Sequence, residues 1–202
     1  MDIFVRDYKP SDDSQLPGIF RNASNSLRVS RGGKHPEQMI DESISQPDEK
    51  ILERLKFGKA IMVAEVRESG ELAGMGAFSR RWKNDLFRTS YSTSHYVKEE
   101  FQRGRAGVSV GSMLRRSIME KAAGLGYRKL YGYSTPEAIG FHKKFGAKFY
   151  PKYNKMNFGV MVHYYEIELN KSIFNGIRFE PYIFELSPVS HAYVSILRFL
   201  HR

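Results

Sequence analysis

The first third of the chain has apolar residues at the spacing of one strand followed by two helices. A short apolar run over residues 3–6 predicts the strand, because it stops at a polar turn that contains proline. Apolar positions over residues 16–23 have helical spacing, and a second helix is predicted over residues 48–57, which Gly58 closes. The polar residues 24–47 predict a loop-rich insertion that would shape a substrate pocket, with space for one helical turn.

Alternating and apolar segments in the rest of the chain predict further strands and two more helices. A turn at residues 69–70 joins two apolar runs into a β-hairpin. Strands are predicted over residues 60–66, 72–78, 86–97, 129–133 and 158–169, and helices over residues 112–124 and from Thr135 onward. The order β-α-α-β-β-β-α-β-α-β is typical of an α+β fold, here a mixed β-sheet flanked by helices.

The last segment, residues 170–202, follows this order as an extension. Loose alternation over residues 170–186 predicts one more strand, and apolar positions over residues 188–202 have the spacing of an amphipathic helix. We therefore expect one domain over residues 1–169 and a C-terminal extension that either packs on this domain or forms a homodimer interface.

The formal net charge of +10 favours an anionic partner. Nucleic acid, an anionic membrane surface, an acidic carrier protein and a phosphorylated cofactor all have a charge of the required sign. Basic residues are concentrated between Arg103 and Lys155, so the anionic partner is expected to bind near this stretch.

The absence of cysteine excludes several kinds of chemistry. A disulfide framework, a thiolate metal site and a cysteine nucleophile all require it, and the His, Asp and Glu residues lack metal-ligand spacing, so we expect no metal. The N-terminus has no signal-like segment, and no run approaches the roughly 20 apolar residues that a membrane span needs. We therefore expect a cytoplasmic protein with no membrane partner.

A glycine- and arginine-rich loop precedes the helix predicted over residues 112–124. Glycine permits positive φ and close approach of a ligand, so several backbone N–H groups can surround one anion. The N-terminus of the following helix adds a partial positive charge. The loop lacks the Gly-Lys-Ser/Thr end of a P-loop, and no early βαβ unit supports a dinucleotide-binding fold. The predicted pyrophosphate site consists of Gln102, Arg103, Gly104, Arg105, Ala106, Gly107, Val108, Gly111 and Ser112.

The stretch from Val97 to Tyr150 resembles the core of the GNAT acetyltransferase superfamily. That family shows a strand ending in valine, an aromatic residue, a basic glycine-rich loop, a helix, a strand and an Ala-x-x-Phe-Tyr-x-x-x-Gly-Phe segment. The matching residues here are Val97, Phe101, the loop at residues 102–111, residues 130–133 and residues 138–147. With the upstream strand and hairpin, the resemblance covers about residues 3–169.

This resemblance implies a catalytic domain that moves an acyl group from acetyl-CoA, or another acyl-CoA, to an amine of a small molecule or a protein. Val97, Thr135 and Phe141 join the loop residues as implied cofactor contacts. The sequence departs from the family at two positions, since Thr135 replaces the usual asparagine and His142 the usual tyrosine. The loop is also lengthened by a few residues.

Three side chains are implied as the acid and base groups of that reaction. His95 lies on the strand before the loop and would accept the amine proton, directly or through water, because an ordinary histidine has a pKa of about 6.5. His142 would protonate the departing thiolate, and Tyr133 is a reserve acid. Strict alternation would place Tyr91 and Thr93 on the face of His95, where they would order water.

Two other functions stay open. Acyl-homoserine-lactone and N-acyl amino acid synthases resemble this family in fold and take longer acyl chains, often from an acidic acyl carrier protein that would suit the positive charge. A non-catalytic module could keep the fold and sense CoA or nucleic acid, although the candidate histidines favour catalysis and nucleic acid is the least favoured partner. Basic residues within residues 24–47 and 80–90 indicate an acidic or aromatic feature on the acceptor.

Overall fold

The computed structural model describes residues 2–30, 37–80, 88–104, 109–157 and 160–169. Within these ranges eight strands form one mixed sheet with five helices around it. The strands are β1 (Ile3–Asp7), β2 (Lys59–Val66), β3 (Leu72–Ser79), β4 (Thr89–Val97), β5 (Lys129–Ser134), β6 (Lys148–Phe149), β7 (Lys155–Asn157) and β8 (Val160–Glu168). The helices are α1 (Leu16–Ser30), α2 (Glu37–Ile44), α3 (Asp48–Lys56), α4 (Val110–Gly124) and α5 (Ile139–Lys143). The predicted α+β fold is confirmed.

The strand order is β1-β2-β3-β4-β5-β8-β6, and β7 pairs with the first residues of β8. All neighbours are antiparallel except β4 and β5, which are parallel. A parallel pair needs a crossover connection, and α4 supplies it. The N-terminus of α4 therefore lies at the C-terminal end of β4, next to the glycine-rich loop.

Apolar side chains on the two faces of the sheet form two cores. On one face α4 buries Leu114, Ile118 and Ala122, which follow each other along one helical stripe. On the other face α1 and α3 bury Leu16 and Ile51 against β2 and β3. A fully buried Leu or Ile side chain contributes roughly 1.5–3 kcal/mol, so these two layers hold the helices on the sheet.

Residues 24–47 differ from the loop-rich insertion that their polar pattern predicted. α1 continues to Ser30, and α2 begins at Glu37. No proline interrupts residues 18–30, and small polar residues cost a helix only a fraction of a kcal/mol each, so the helix persists through them. The short strands β6 and β7 were not predicted, because two or three residues show no periodicity.

Several predicted segments lie outside the described residues. These are the C-terminal strand and helix over residues 170–202 and the first residues, 86–87 and 158–159, of two predicted strands. The division into a domain and an extension therefore stays a prediction. Of the helices that are described, none combines the length and the apolarity that crossing a bilayer requires.

Candidate active site

The strands β4 and β5 pair at their first residues and then separate. Residues 89–91 pair in parallel with residues 129–131, after which β4 continues beside β3 and β5 beside β8. A strand directs its backbone N–H and C=O groups alternately to its two sides, so beyond residue 91 backbone groups face the gap. We call this gap, between residues 92–97 and residues 132–134, the strand cleft.

A β-bulge in β4 decides which of its side chains face α4. Consecutive residues of β3 pair with Ser94 and Ser92, so β4 has one extra residue between them. Ser92 and His95 therefore both contact α4, while Tyr91 packs against Tyr131 on the opposite face of the sheet. The prediction that Tyr91 shares the face of His95 is wrong, because strict alternation holds only in a strand without a bulge.

His95 contacts the first turn of α4 and has one free ring nitrogen. Its Nε2 is 2.9 Å from the backbone oxygen of Gly111. A carbonyl oxygen can only accept, so Nε2 carries the proton and Nδ1 the lone pair. Nδ1 is buried and has no hydrogen-bond partner in the part of the chain that the structure describes. Burial, with the nearby charge of Arg115, lowers the pKa of His95 to about 3, so the ring is neutral at physiological pH.

Arg115 of α4 is fully buried, with 0% of its surface exposed. Its guanidinium donates to Ser92 Oγ at 2.7 Å, to His142 Nδ1 at 2.6 Å and to the Tyr165 hydroxyl at 2.6 Å. A Cβ on Gly132 of β5 would lie 2.8 Å from that hydroxyl oxygen, so Tyr165 packs directly on β5. Arg115 thus connects β4, α5 and β8 at the closed end of the strand cleft.

His142 is buried, although it lies on a short helix near the surface. Its ring stacks on Tyr165 with centroids 4.3 Å apart. A guanidinium can only donate, so Nδ1 accepts from Arg115 and the neutral ring has its proton on Nε2. Burial and the Arg115 charge lower the pKa of His142 to about 3. Phe141 contacts both histidines, with its ring centroid 5.4 Å from that of His95 and 5.3 Å from that of His142.

The residues predicted to contact the cofactor at the ends of β4 and β5 border the open end of the strand cleft. Val97 and Phe101 are buried where β4 ends. The Gln102 side chain donates through Nε2 to the Val97 carbonyl oxygen at 2.7 Å, which fixes the chain as it leaves the strand. Thr135 follows β5 with an extended backbone and precedes a 3₁₀ turn.

The glycine-rich loop leads into α4, whose first N–H groups have no partner within the helix. Ser109 precedes the helix, and its hydroxyl is 2.7 Å from that of Ser112. The side chain of Arg103 and the whole of residues 105–108 lie outside the described part of the chain. A pyrophosphate site formed by Arg103, Gly104, Arg105, Ala106, Gly107 and Val108 therefore stays a prediction.

Six of the described tyrosines form an aromatic surface on the sheet face opposite α4. Neighbouring rings have centroids 5.3 to 6.5 Å apart, and the residues are Tyr91, Tyr131, Tyr133, Tyr150, Tyr153 and Tyr164. The Lys155 ammonium lies 4.0 Å from the ring centroid of Tyr133. The structure brings His95 and His142 together around Arg115 and places Tyr133 on the other face.

In the sequence, Arg115 is only one of the basic residues between positions 103 and 155, and no place in the site was predicted for it. The helical spacing does indicate that Arg115 is buried. Gly111, Ile118 and Ala122 lie on the same helical stripe as Arg115, and Ile118 and Ala122 are core residues. An arginine on a buried stripe is uncommon unless a partner satisfies it. Across the described ranges, no group of His, Asp and Glu side chains could hold a metal ion.

No protein-family model and no curated protein matches the sequence. Several solved structures match it in fold. PaiA N-acetyltransferase from Thermoplasma acidophilum, in complex with coenzyme A, is 16% identical; the match covers 83% of this chain and 99% of that one, with a TM-score of 0.59. A GCN5-related N-acetyltransferase from Rhodopseudomonas palustris is 18% identical over 84% and 97%, with a TM-score of 0.62. An N-acetyltransferase from Staphylococcus aureus is 20% identical over 84% and 100%, with a TM-score of 0.59.

These similarities show that the chain has the fold of the GNAT N-acetyltransferases. The matched structures are covered almost completely, so this chain contains the whole fold. The fold that the loop and strand motifs implied is confirmed. At identities of 16 to 20% the likeness concerns architecture, so the chemistry has to be argued from the site itself.

Proposed function

We propose that this protein is an N-acyltransferase that takes an acyl group from acetyl-CoA, or another acyl-CoA, and places it directly on an amine of a small molecule or a protein. The observation that carries the proposal is the strand cleft, a gap lined by strand backbone in a GNAT fold. Gln102 and the N-terminus of α4, which flank the glycine-rich loop, lie at its open end. A cytoplasmic location is part of this proposal.

The residues around the strand cleft fit such a donor in two ways. The pantetheine arm of coenzyme A contains amide groups, which can pair with the backbone of residues 92–97 as a strand would. The diphosphate would bind the loop at residues 102–111, where two arginines and the N-terminus of α4 provide positive charge. When bound, coenzyme A supplies the acyl group as a thioester.

The two histidines would serve the reaction as neutral groups. His95 has its lone pair on Nδ1, which is buried 3.8 Å from where a Cβ on Gly76 of β3 would lie, so the amine proton would reach it through water. Because its pKa is lowered to about 3, it is a weak base that passes the proton on. His142 has its proton on Nε2 and would donate a hydrogen bond where negative charge develops on the departing sulfur.

The aromatic surface on the opposite face supports an acceptor that is cationic or aromatic. The ring faces of tyrosine attract cations, and Lys155 already places an ammonium 4.0 Å from the Tyr133 centroid. A protonated acceptor amine could bind the same surface before it loses its proton. Tyr133 would then contact the acceptor, in addition to its predicted part as a reserve acid.

A second candidate is a module that binds CoA without catalysis. The observation that favours it is the lowered pKa of both histidines, since neither ring is half protonated near neutral pH. Donors with longer acyl chains, including those on an acyl carrier protein, are the remaining alternative, and the net charge of +10 would suit an acidic carrier.

The test measures binding of acyl-CoA and release of free thiol separately. Acetyl-CoA at 100 times its dissociation constant should stabilise the protein by about 2.7 kcal/mol, which raises the melting temperature. Release of free thiol from acetyl-CoA, butanoyl-CoA, succinyl-CoA and acyl carrier thioesters is then measured with a panel of amines. Binding with amine-dependent thiol release supports the enzyme, whereas binding with no release from any donor supports the module. If no CoA derivative binds, the proposal fails.

A further inference from the structure

The positive charge of Arg115 has no anion near it in the described structure. Its polar partners are the hydroxyls of Ser92 and Tyr165 and the neutral ring of His142. The guanidinium also lies 5.5 Å from the ring centroid of Tyr165, a cation–π contact that compensates the charge only in part. A buried charge without an opposite partner is strongly unfavourable, so its retention in this core requires an explanation.

Some N–H donors of the Arg115 guanidinium are not used by its three hydrogen bonds. An arginine side chain has five N–H donors, and the hydrogen bonds to Ser92, His142 and Tyr165 use three of them. The Nε atom is buried and has no hydrogen-bond partner within the described ranges. Nδ1 of His95, on the same face of the sheet, is likewise buried and unpartnered. Two separate polar atoms on this face of the sheet therefore lack a partner among the described residues.

The position of the guanidinium relates these donors to the proposed reaction. Ser92 is the first residue of β4 beyond its pairing with β5, and Tyr165 packs on Gly132, the first residue of β5 beyond it. Arg115 contacts both Ser92 and Tyr165, so it sits at the closed end of the strand cleft. A thioester donor that enters from the loop would direct the far end of its acyl group to this point.

We propose that Arg115 binds a carboxylate at the far end of the acyl group, so that the donor is a dicarboxylic acyl-CoA such as succinyl-CoA. This inference rests on the proposed function. In the transfer, the acceptor nitrogen forms a bond to the thioester carbonyl carbon, the carbon–sulfur bond breaks, and the amine proton leaves for the thiolate. The distal carboxylate stays unchanged, and its charge offsets that of the guanidinium throughout.

The test compares succinyl-CoA with butanoyl-CoA, which has the same number of acyl carbons but ends in a methyl group. Isothermal titration calorimetry on the wild-type protein should give a dissociation constant about tenfold to a hundredfold lower for succinyl-CoA, as expected for a charged hydrogen bond. Arg115→Met should remove this preference and change the affinity for butanoyl-CoA much less. Arg115→Lys, which keeps the charge, should retain part of the preference.

Each outcome separates this inference from the proposed function. If both thioesters bind the wild-type protein equally, the carboxylate site is overturned while the acyltransferase proposal stands. If neither thioester nor coenzyme A binds, both fail. The wild-type comparison needs no variant, so misfolding of Arg115→Met would not prevent the test. A chloride-dependent rise in melting temperature with no preference for succinyl-CoA would show that Arg115 takes a free anion, which also overturns the inference.

Discussion

The guanidinium of Arg115 donates a hydrogen bond to Nδ1 of His142 over 2.6 Å, and this contact determines where that imidazole carries its proton. Because a guanidinium cannot accept, the His142 proton is on Nε2. Protonating Nδ1 would remove the hydrogen bond and place two positive charges together. Burial, together with the charge of Arg115, lowers the pKa of both His95 and His142, so both candidate catalytic histidines are neutral at physiological pH.

Folding stability should fall as the pH falls below the ordinary histidine pKa of 6.5. In the folded protein both rings have a pKa of about 3, so between these values the unfolded chain binds more protons. The stabilisation is complete above pH 6.5 and is lost progressively toward pH 3. Urea unfolding at a series of pH values checks this prediction. His142→Gln should make the loss less steep, and an unchanged slope would contradict the pKa assigned to His142.

His142→Ala should lower kcat by roughly 10²–10⁴-fold with little change in the dissociation constant of the acyl-CoA, if the Nε2 proton assists the departing thiolate. His142→Tyr should keep much of the rate, because a phenol also donates. Steady-state kinetics with calorimetric binding measurements test both variants. His163→Ala, on β8 in contact with Asn154, is the matched control and should keep kcat near the wild-type value. Near-normal turnover in His142→Ala would exclude this role.

A double change of Arg103 and Arg105 to Ala should raise the KM and the dissociation constant of the acyl-CoA far more than it lowers kcat. These side chains are predicted to bind the diphosphate, which takes no part in bond breaking. Calorimetry at two salt concentrations gives the measurement. Arg116 and Arg128 are exposed and provide a control pair with the same loss of charge. Equal effects of the two double variants would mean that the affinity for the acyl-CoA depends only on the net charge of the protein.

Gly74→Ala should destabilise the protein by roughly 1–3 kcal/mol. A Cβ at this position would lie 2.7 Å from the backbone oxygen of Tyr96 on the neighbouring strand and 3.2 Å from Leu114 of α4. A backbone atom in a central strand has no room to move away. Gly18→Ala in α1 is the control, since a Cβ there would meet nothing within 4 Å and alanine favours helix. Denaturant unfolding of the two variants should give opposite signs.

The sequence by itself determined the elements whose cause is local. The turn at residues 69–70 forms because Gly70 adopts a φ of 70°, and α4 follows its loop because apolar residues recur at helical spacing. The strand–loop–helix segment from Val97 to Gly124 was therefore predictable, and so was the position of His95 on the strand before it. The polar pattern of residues 24–47 led to a wrong prediction of a loop-rich insertion. Polarity indicates exposure to solvent, and a helix can be as exposed as a loop.

Only the tertiary structure decided the chemistry of the site. The bulge that puts Ser92 and His95 on the face of α4 depends on pairing with β3. The charge state of the histidines depends on burial and on the charge of Arg115, whose contacts join residues 92, 142 and 165. Burial and electrostatic interactions arise between residues that are distant in sequence and adjacent in space, so no local pattern records them. For this reason the sequence indicates which histidines belong to the site, and packing sets their protonation.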